Sequence, residues 1–350
     1  MRASAGLRRA LCAAAALAVL GLGCSGAKTS GDAGEIGGGY TCDAGCESPF
    51  ACDEASGLCK NQGVPHLAHF WIIVMENTSF ASLNGDTTDA PYLNGLFADG
   101  GPGVELAGYR DTGVHPSLPN YIGLVGGDNF GITHDGDART YTVPASTPDI
   151  ASQLEGAGMT WHEYSESQTT PCELTDDANG LYVSKHNPMP HFMVTQNATA
   201  DCQANDVSFE PEGSMPGMAA DIAAGQYFSY VFIAPNLCDD GHSYGACLSP
   251  LGANAIQQQD WWLSQNVPLI LNSSAYKQGG VLMITWDEGE NDSDAIMAVL
   301  ASPLLAHPGS VDSSTYTHYS TLSTVDAAFG LSSLPASHGH HDPPITTVWK

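Results

Sequence analysis

From about residue 65 onward, apolar β-branched runs alternate with stretches of helical period, and this constrains the possible folds more than any other feature. The runs His69–Met75, Tyr227–Ala234 and Val281–Trp286 are apolar at nearly every position. Strands of that kind are buried on both faces, whereas a sheet with one wet face would alternate apolar and polar residues. Doubly buried strands joined by helix-length connections imply an α/β sheet of parallel strands with crossover helices. Strands are expected near 69–75, 104–109, 158–164, 227–234, 281–286 and 296–302, and helices near 89–98, 117–125, 147–157, 214–224, 252–272 and 320–329. Roughly 285 residues suit one large domain, 65–350, and the tail after Leu334, rich in Pro and His, reads as irregular.

The N-terminal end has a different composition. Arg2, Arg8 and Arg9 precede the 13-residue apolar run Leu11–Gly23, which ends at Cys24. That run is shorter than the ~20 residues of a membrane-spanning helix and reads as a signal peptide over 1–23. The small residues before Cys24 resemble a bacterial lipobox, with Gly21 where an aliphatic residue is usual. The expected product is an exported protein, either a lipoprotein held at the cell envelope by a lipid anchor on Cys24 or a secreted one. Residues 24–40, mostly Gly, Ser, Ala and Asp, read as a flexible tether.

Loss of 1–23 removes three of the ten basic residues and no acidic one, so the formal charge falls by three from −28, to −31. Such a surface repels nucleic acid, which is excluded as a partner. The few cations left are Lys28, Lys60, Arg110, Arg139, Lys185, Lys277 and Lys350, so positive potential for an anionic substrate must come mainly from bound metal. Of the ten cysteines, Cys12 and Cys24 belong to the leader and anchor, leaving eight. Cys42, Cys46, Cys52 and Cys59 crowd together without a histidine, so 41–62 reads as a small module with two disulfides in one of three connectivities. Its core is too small to stand without them. Cys172 with Cys202, and Cys238 with Cys247, are the remaining expected bridges.

Three acidic motifs follow the three apolar runs: Glu76-Asn77, Asp239-Asp240-Gly241-His242 and Asp287-Glu288-Gly289. In an open α/β sheet, ligands bind beyond the carboxyl ends of the strands, so these acids should converge. Two carboxylates ~4 Å apart repel by roughly 4 kcal/mol at an effective dielectric near 20, and several together need protons or a divalent cation. Each motif also has a plainer reading. Asn77 or Thr78 can cap the next helix, Ser117 can be an N-cap as easily as a hydroxyl aimed at a phosphate, and Asp287-Glu288 can be a turn. There is no Gly-x-Ser-x-Gly elbow, phosphate loop or Rossmann fingerprint. His162-Glu163 lacks the closing histidine of a zincin, having Glu166 there, and Gly289 breaks the EF-hand pattern of 287–292.

Seven motifs in order carry a resemblance: Val74-Met-Glu-Asn-Thr-Ser-Phe80, Ala90-Pro-Tyr-Leu-Asn94, His115-Pro-Ser-Leu-Pro-Asn-Tyr121, Lys185-His-Asn-Pro188, Pro235-Asn-Leu-Cys-Asp-Asp-Gly-His242, Thr285-Trp-Asp-Glu-Gly289 and Thr317-His-Tyr-Ser320. From about 66 to 334 the chain resembles the phosphoesterase family of acid phosphatases and bacterial phospholipases C, and is most similar to its shorter, acid-phosphatase-like members. Ala81 stands where the longer relatives often have Asp. The resemblance implies a three-layer, alkaline-phosphatase-like α/β fold, a mostly parallel sheet with helices on both faces. It implies a metal held by Glu76, Asn77, Asp287 and Glu288, with Ser117 as a nucleophile that also touches the metal. His242 and His318 would bind phosphoryl oxygens or protonate the leaving group, and His115, His186 and Asp240 would line the pocket.

The expected activity is a metal-dependent phosphomonoesterase acting on a small phosphate ester through a phosphoserine. The alternatives are a phospholipase C-type diesterase and a non-catalytic, calcium-binding surface lipoprotein. Oxygen-rich ligation suits calcium, magnesium or manganese, while added histidines admit zinc or iron. The tail His338-Gly-His-His341 reads as solvated rather than as a metal site.

Overall fold

The computed structural model describes residues 40–178, 180–196, 199–242, 254–291, 294–334 and 342–350. The leader, the anchor cysteine, nearly all of the tether, Cys247 and the His338–His341 tail lie outside the described residues. The strands are β1 (Ala51–Asp53), β2 (Leu58–Asn61), β3 (Val64–Pro65), β4 (Phe70–Met75), β5 (Gly103–Arg110), β6 (Trp161–Ser165), β7 (Asp206–Ser208), β8 (Tyr230–Ala234), β9 (Val281–Trp286), β10 (Ala298–Ala301) and β11 (Ser310–Thr317). The helices are α1 (Phe80–Leu83), α2 (Pro91–Phe97), α3 (Ser117–Gly126), α4 (Ile150–Gly156), α5 (Met189–Gln196), α6 (Thr199–Asn205), α7 (Met218–Ala224), α8 (Ala255–Asn272), α9 (Ser274–Lys277) and α10 (His318–Phe329).

Among the described residues, eight strands form one sheet in the order β11-β5-β10-β9-β4-β8-β6-β7. Its centre is β9, β4 and β8, the three apolar runs, and every residue of each is buried. All pairings are parallel except those of β10, which runs antiparallel to both β5 and β9. The sheet is thus mostly parallel, as expected, and β10 is the exception because only residues 287–297 separate it from β9, whereas a parallel return needs a crossover of a dozen or more. Helices α2, α7, α8 and α9 pack together as one layer, and α3, α4 and α10 as another.

Two edge strands were not expected. β11 is polar at most positions and exposed at alternate ones up to Thr315, and β7 has only three residues, so neither has the apolar signature of the centre. Helices α1, α5, α6 and α9 were also unexpected; α1 and α9 are single turns. The C-terminal residues 342–350 form no helix or strand, as expected, yet Ile345, Val348 and Trp349 are buried.

Helix starts follow local chemistry. In the segment Thr317–Ser320 the outer residues form a capping box, with Thr317 accepting from the Tyr319 and Ser320 amides. This starts α10 at His318, two residues earlier than the apolar period suggested. Asp149 and Ser152 form the same device on α4. α2 has no cap of its own; Asp260 of α8 accepts from the Tyr92 and Leu93 amides at 3.1 and 2.7 Å.

The N-terminal module is a three-stranded sheet, β1-β2-β3, closed by Cys42–Cys52 and Cys46–Cys59. Its Asn61 side chain donates to the Ala327 carbonyl at the end of α10. Cys172 and Cys202 are bridged as expected. The Cys238–Cys247 pairing falls on Cys247, outside the described residues.

Glu163 on β6 and Asp206 on β7 face each other across the sheet, both fully buried. Met189 N donates to Glu163 at 3.2 Å and Asn187 Nδ2 to Asp206 at 3.0 Å, which leaves one oxygen of each carboxyl without a donor. Burial raises Asp206 to about 7, and burial plus the Asp206 charge raises Glu163 well above the usual carboxyl range. The native state thus holds protons that the unfolded chain releases above about pH 4, so this pair's stabilisation is complete at acidic pH and is lost as pH rises through about 7. Glu163→Gln should flatten the fall of the melting temperature between about pH 6 and 8. An unchanged slope would show that the pair does not titrate on unfolding.

Candidate active site

β4, β5, β8, β9 and β11 all point the same way, so their carboxyl ends deliver Glu76, Asp111 to Ser117, Asp240, Asp287 and His318 to one edge. The ladder runs past the strand ends: Asp287 N donates to Met75 O, and Glu76 N to Asp240 O, each at 2.9 Å. Gln259 of α8 locks this edge from behind. Its Nε2 donates to Asp240 O at 2.7 Å and Glu76 O at 3.2 Å, and its Oε1 accepts from Trp286 Nε1 at 3.2 Å. Gly241 sits beside that amide with φ +95°, and a Cβ there would overlap the Gln259 side chain.

Ser117 is the first residue of α3, not its cap, and its hydroxyl donates to Glu76 Oε2 at 3.2 Å. The reading of Asn77 or Thr78 as a helix cap also gives way. Thr78 Oγ1 donates to Glu76 O, and Ser79 is the N-cap of α1. Asn77 takes a left-handed φ of +46°, which asparagine tolerates, and its amide donates to Asp287 Oδ1 at 3.2 Å.

Behind Glu76, His186 bridges two carboxylates: Nε2 lies 2.8 Å from Glu76 Oε1 and Nδ1 3.2 Å from Asp240 Oδ2. The ring stacks on Tyr121 at 4.9 Å. On the other side His115 lies 2.8 Å from Glu288 and 3.3 Å from Asp111, and Asn120 Nδ2 donates to Glu288 at 3.1 Å.

His318 differs from expectation. It is fully buried, Nε2 is 2.7 Å from Asp287 O, and Nδ1 is 3.2 Å from Tyr109 OH. Both ring nitrogens are therefore engaged with the protein, and the imidazole holds the Asp287 backbone instead of facing the pocket. Asp239 stands apart from the cluster, accepting from Gln258 and facing Glu166.

The electrostatics follow from burying too much negative charge. Burial raises Glu76 and Asp240 to about 7, and burial with the Asp287 charge raises Glu288 to about 8. Asp287 is raised well above the usual range by burial and by Glu76, and its Oδ2 meets no donor. A neutral imidazole has one N–H, so His186 alone cannot satisfy both carboxylates it bridges.

The donors fit a divalent cation. Glu76, His186 and His242 each offer a ligand atom within 4.8 Å of the others, a mixed oxygen and nitrogen set that differs from the all-oxygen expectation. Asp287 and Ser117 join Glu76 on its other side.

Lys185, Asp135 and Gln259 are site residues without an assigned role from sequence. Lys185 Nζ donates to Asp135 Oδ2 at 2.8 Å and His242 Nε2 at 3.2 Å, while Asp135 Oδ1 accepts from Leu118 N at 3.0 Å. Only the motif containing Lys185 signalled any of them.

A profile of the Phosphoesterase family matches residues 106–332. The chain belongs to that family. It is an acid-phosphatase-like phosphoesterase, a phosphoric ester hydrolase by descent. This phosphoesterase is 28% identical over 289 residues to a phosphatidylinositol-3-phosphatase of Mycobacterium tuberculosis, covering 82% of this chain and 84% of that one. It is 28% identical to a probable acid phosphatase of Kluyveromyces lactis over 85% of this chain and 65% of that one. Identity to an acid phosphatase of Aspergillus fumigatus is 32%, over 63% of this chain and 47% of the relative. Among solved structures, the lipoteichoic acid synthase LtaP of Listeria monocytogenes is similar at TM-score 0.50 and 13% identity, covering 80% of this chain and 79% of that one. The likeness to LtaP shows the fold, and the layers are those the sequence motifs implied: a mostly parallel sheet with helices on both faces.

Proposed function

We propose that this phosphoesterase is a metal-dependent phosphomonoesterase using Ser117 as its nucleophile. The observation that carries the reading is the Ser117 hydroxyl, buried at the start of α3 and donating to Glu76 within a cluster of buried acids. Glu76 and Asp287, with His186 and His242 or with Asn77 and Glu288, would hold the cation. A bound divalent ion neutralises this charge and lowers the pKa of a neighbouring hydroxyl, as it takes bound water from about 15.7 to about 7.

Ser117 Oγ attacks phosphorus while Glu76 receives its proton. The P–Oγ bond forms, the ester P–O bond breaks, and the departing alkoxide takes a proton from a water at the mouth, leaving hydroxide. That hydroxide then adds to the phosphorus of the phosphoserine, the P–Oγ bond breaks to release phosphate, and Ser117 regains its proton from Glu76. His242 would help to bind the phosphoryl oxygens because it is half-buried at the mouth, whereas His318 is enclosed.

Described side chains at the mouth include Lys185, Asp135, His115, His242 and Glu288, all polar, which favours a small soluble monoester over a lipid diester. Three disulfides among the described residues suit an oxidising compartment, in keeping with export. No helix among the described residues is long and apolar enough to cross a membrane, so attachment would rest on the lipid at Cys24.

Hydrolysis of p-nitrophenyl phosphate should exceed that of bis(p-nitrophenyl) phosphate and of phosphatidylcholine vesicles, assayed with calcium, magnesium, manganese and zinc in turn. A preference for phosphatidylcholine would favour the phospholipase reading, and no hydrolysis of any ester would favour the calcium-binding one.

A further inference from the structure

The site gathers carboxylates from Glu76, Asp111, Asp135, Asp240, Asp287 and Glu288, yet its substrate is itself an anion. Among the described residues, Lys185 is the only lysine or arginine hydrogen-bonded to this cluster. Its side chain is 14% exposed, so it is held by the protein while still reaching solvent at the mouth. An ammonium group has three donors and no acceptor. Two are directed at Asp135 and His242, so His242 Nε2 is the acceptor of that contact. The third N–H has no acceptor among the described residues.

The position is tied to the nucleophile by a short path. Asp135 grips Lys185 with one oxygen and the Leu118 amide with the other, and Leu118 follows Ser117. The backbone carries the other link, because Lys185 precedes His186, whose ring binds Glu76, the acceptor of the Ser117 hydroxyl. The ammonium is thereby fixed relative to the atom that would attack phosphorus.

We propose that Lys185 recognises the terminal phosphoryl group through this third N–H and makes the site select monoesters over diesters. This rests on the monoesterase reading and adds the group that enforces it. A monoester phosphoryl has three non-bridging oxygens and up to two charges, whereas a diester has two such oxygens and one charge. A fixed point donor in a site of low dielectric therefore gains more from the monoester. The rival role for Lys185 is that of a counter-ion to the carboxylates, touching no substrate.

The test uses the full mature chain with metal, p-nitrophenyl phosphate and bis(p-nitrophenyl) phosphate as substrates, and inorganic phosphate as competitive inhibitor. Lys185→Met should lower kcat/KM on the monoester by about 10²- to 10³-fold. It should weaken inhibition by phosphate roughly 10- to 100-fold. The diester should lose much less, so the ratio of the two activities falls. Lys185→Arg should recover part of the phosphate affinity. Asp135→Asn retains the cation but loosens its grip, so phosphate inhibition should weaken, though less than in Lys185→Met.

Unchanged phosphate inhibition in Lys185→Met, or equal losses on both substrates, would overturn the proposal and leave only the counter-ion. If Lys185→Met melts early, the Arg and Asp135→Asn variants decide by the same inhibition constant. Failure of the wild type to hydrolyse the monoester would instead remove the monoesterase reading, and phosphate binding by calorimetry would then judge Lys185 separately.

Discussion

Ser117→Ala is expected to lower turnover of a phosphomonoester by about 10⁴- to 10⁶-fold, the scale seen when a hydroxyl nucleophile is removed from a preorganised site. The fold should survive. The hydroxyl's one described hydrogen bond goes to Glu76, and such a bond contributes about 1 kcal/mol, which moves the melting temperature of a chain this size by roughly 2–4 °C. The residues around it are held by other contacts, since α3 is buried along its whole length and Asp135 binds the Leu118 amide. Turnover of p-nitrophenyl phosphate, measured beside a thermal melt, separates the two effects. Activity within about tenfold of wild type would remove Ser117 from the chemistry, because no other part of this mechanism is so dependent on one atom.

Removal of divalent metal is the second large effect. Chelation should abolish activity and lower the melting temperature, with both restored by add-back. A ligand at 100 times its Kd stabilises the native state by about 2.7 kcal/mol. The size should depend on pH in a definite direction. Without metal, Glu76 and Asp240 are raised to about 7 and Glu288 to about 8. These groups stabilise the metal-free protein below about pH 4 and cease to do so as pH rises through 7 to 8. Metal binds the deprotonated ligands, so its affinity rises over the same range. The difference in melting temperature between loaded and chelated protein should therefore be larger at about pH 8 than at about pH 5.

Asp287→Asn provides the control. It deletes a fully buried carboxylate whose Oδ2 meets no donor. The metal-free variant should melt higher than metal-free wild type at about pH 8, yet respond less to added metal and have little activity. Coincident melts of loaded and chelated wild type at both pH values would contradict a cation at this site.

The centre of the sheet was legible because β4, β8 and β9 are apolar at nearly every position, a pattern that double burial requires. The edge strand β11 was not, because it meets solvent and its sequence, Ser310–Thr317, is as polar as a loop. The reversed direction of β10 was hidden for another reason: strand direction depends on connection length and neighbours, and not on the strand's own residues.

Within the site, Glu76, Asp240, Asp287 and Ser117 could be named in advance because each lies at a strand end or helix start. Asp135 and Gln259 carry no comparable mark. One lies in an irregular loop and the other on a helix whose exposed and buried glutamines look alike in sequence. His318 was identified as a residue of the site, but its two ring contacts, to Asp287 O and Tyr109 OH, turn it into a support for the backbone beneath.

The sequence by itself determined that an α/β sheet would form and that acids, a serine and imidazoles would meet at its carboxyl edge, since burial periodicity and strand ends are local properties. Only the tertiary structure decided which imidazole faces solvent, which carboxylates lie unneutralised, and which lysine stands among them. Those outcomes depend on distances between segments far apart in the chain, where desolvation and charge act through space and leave no trace in the order of residues.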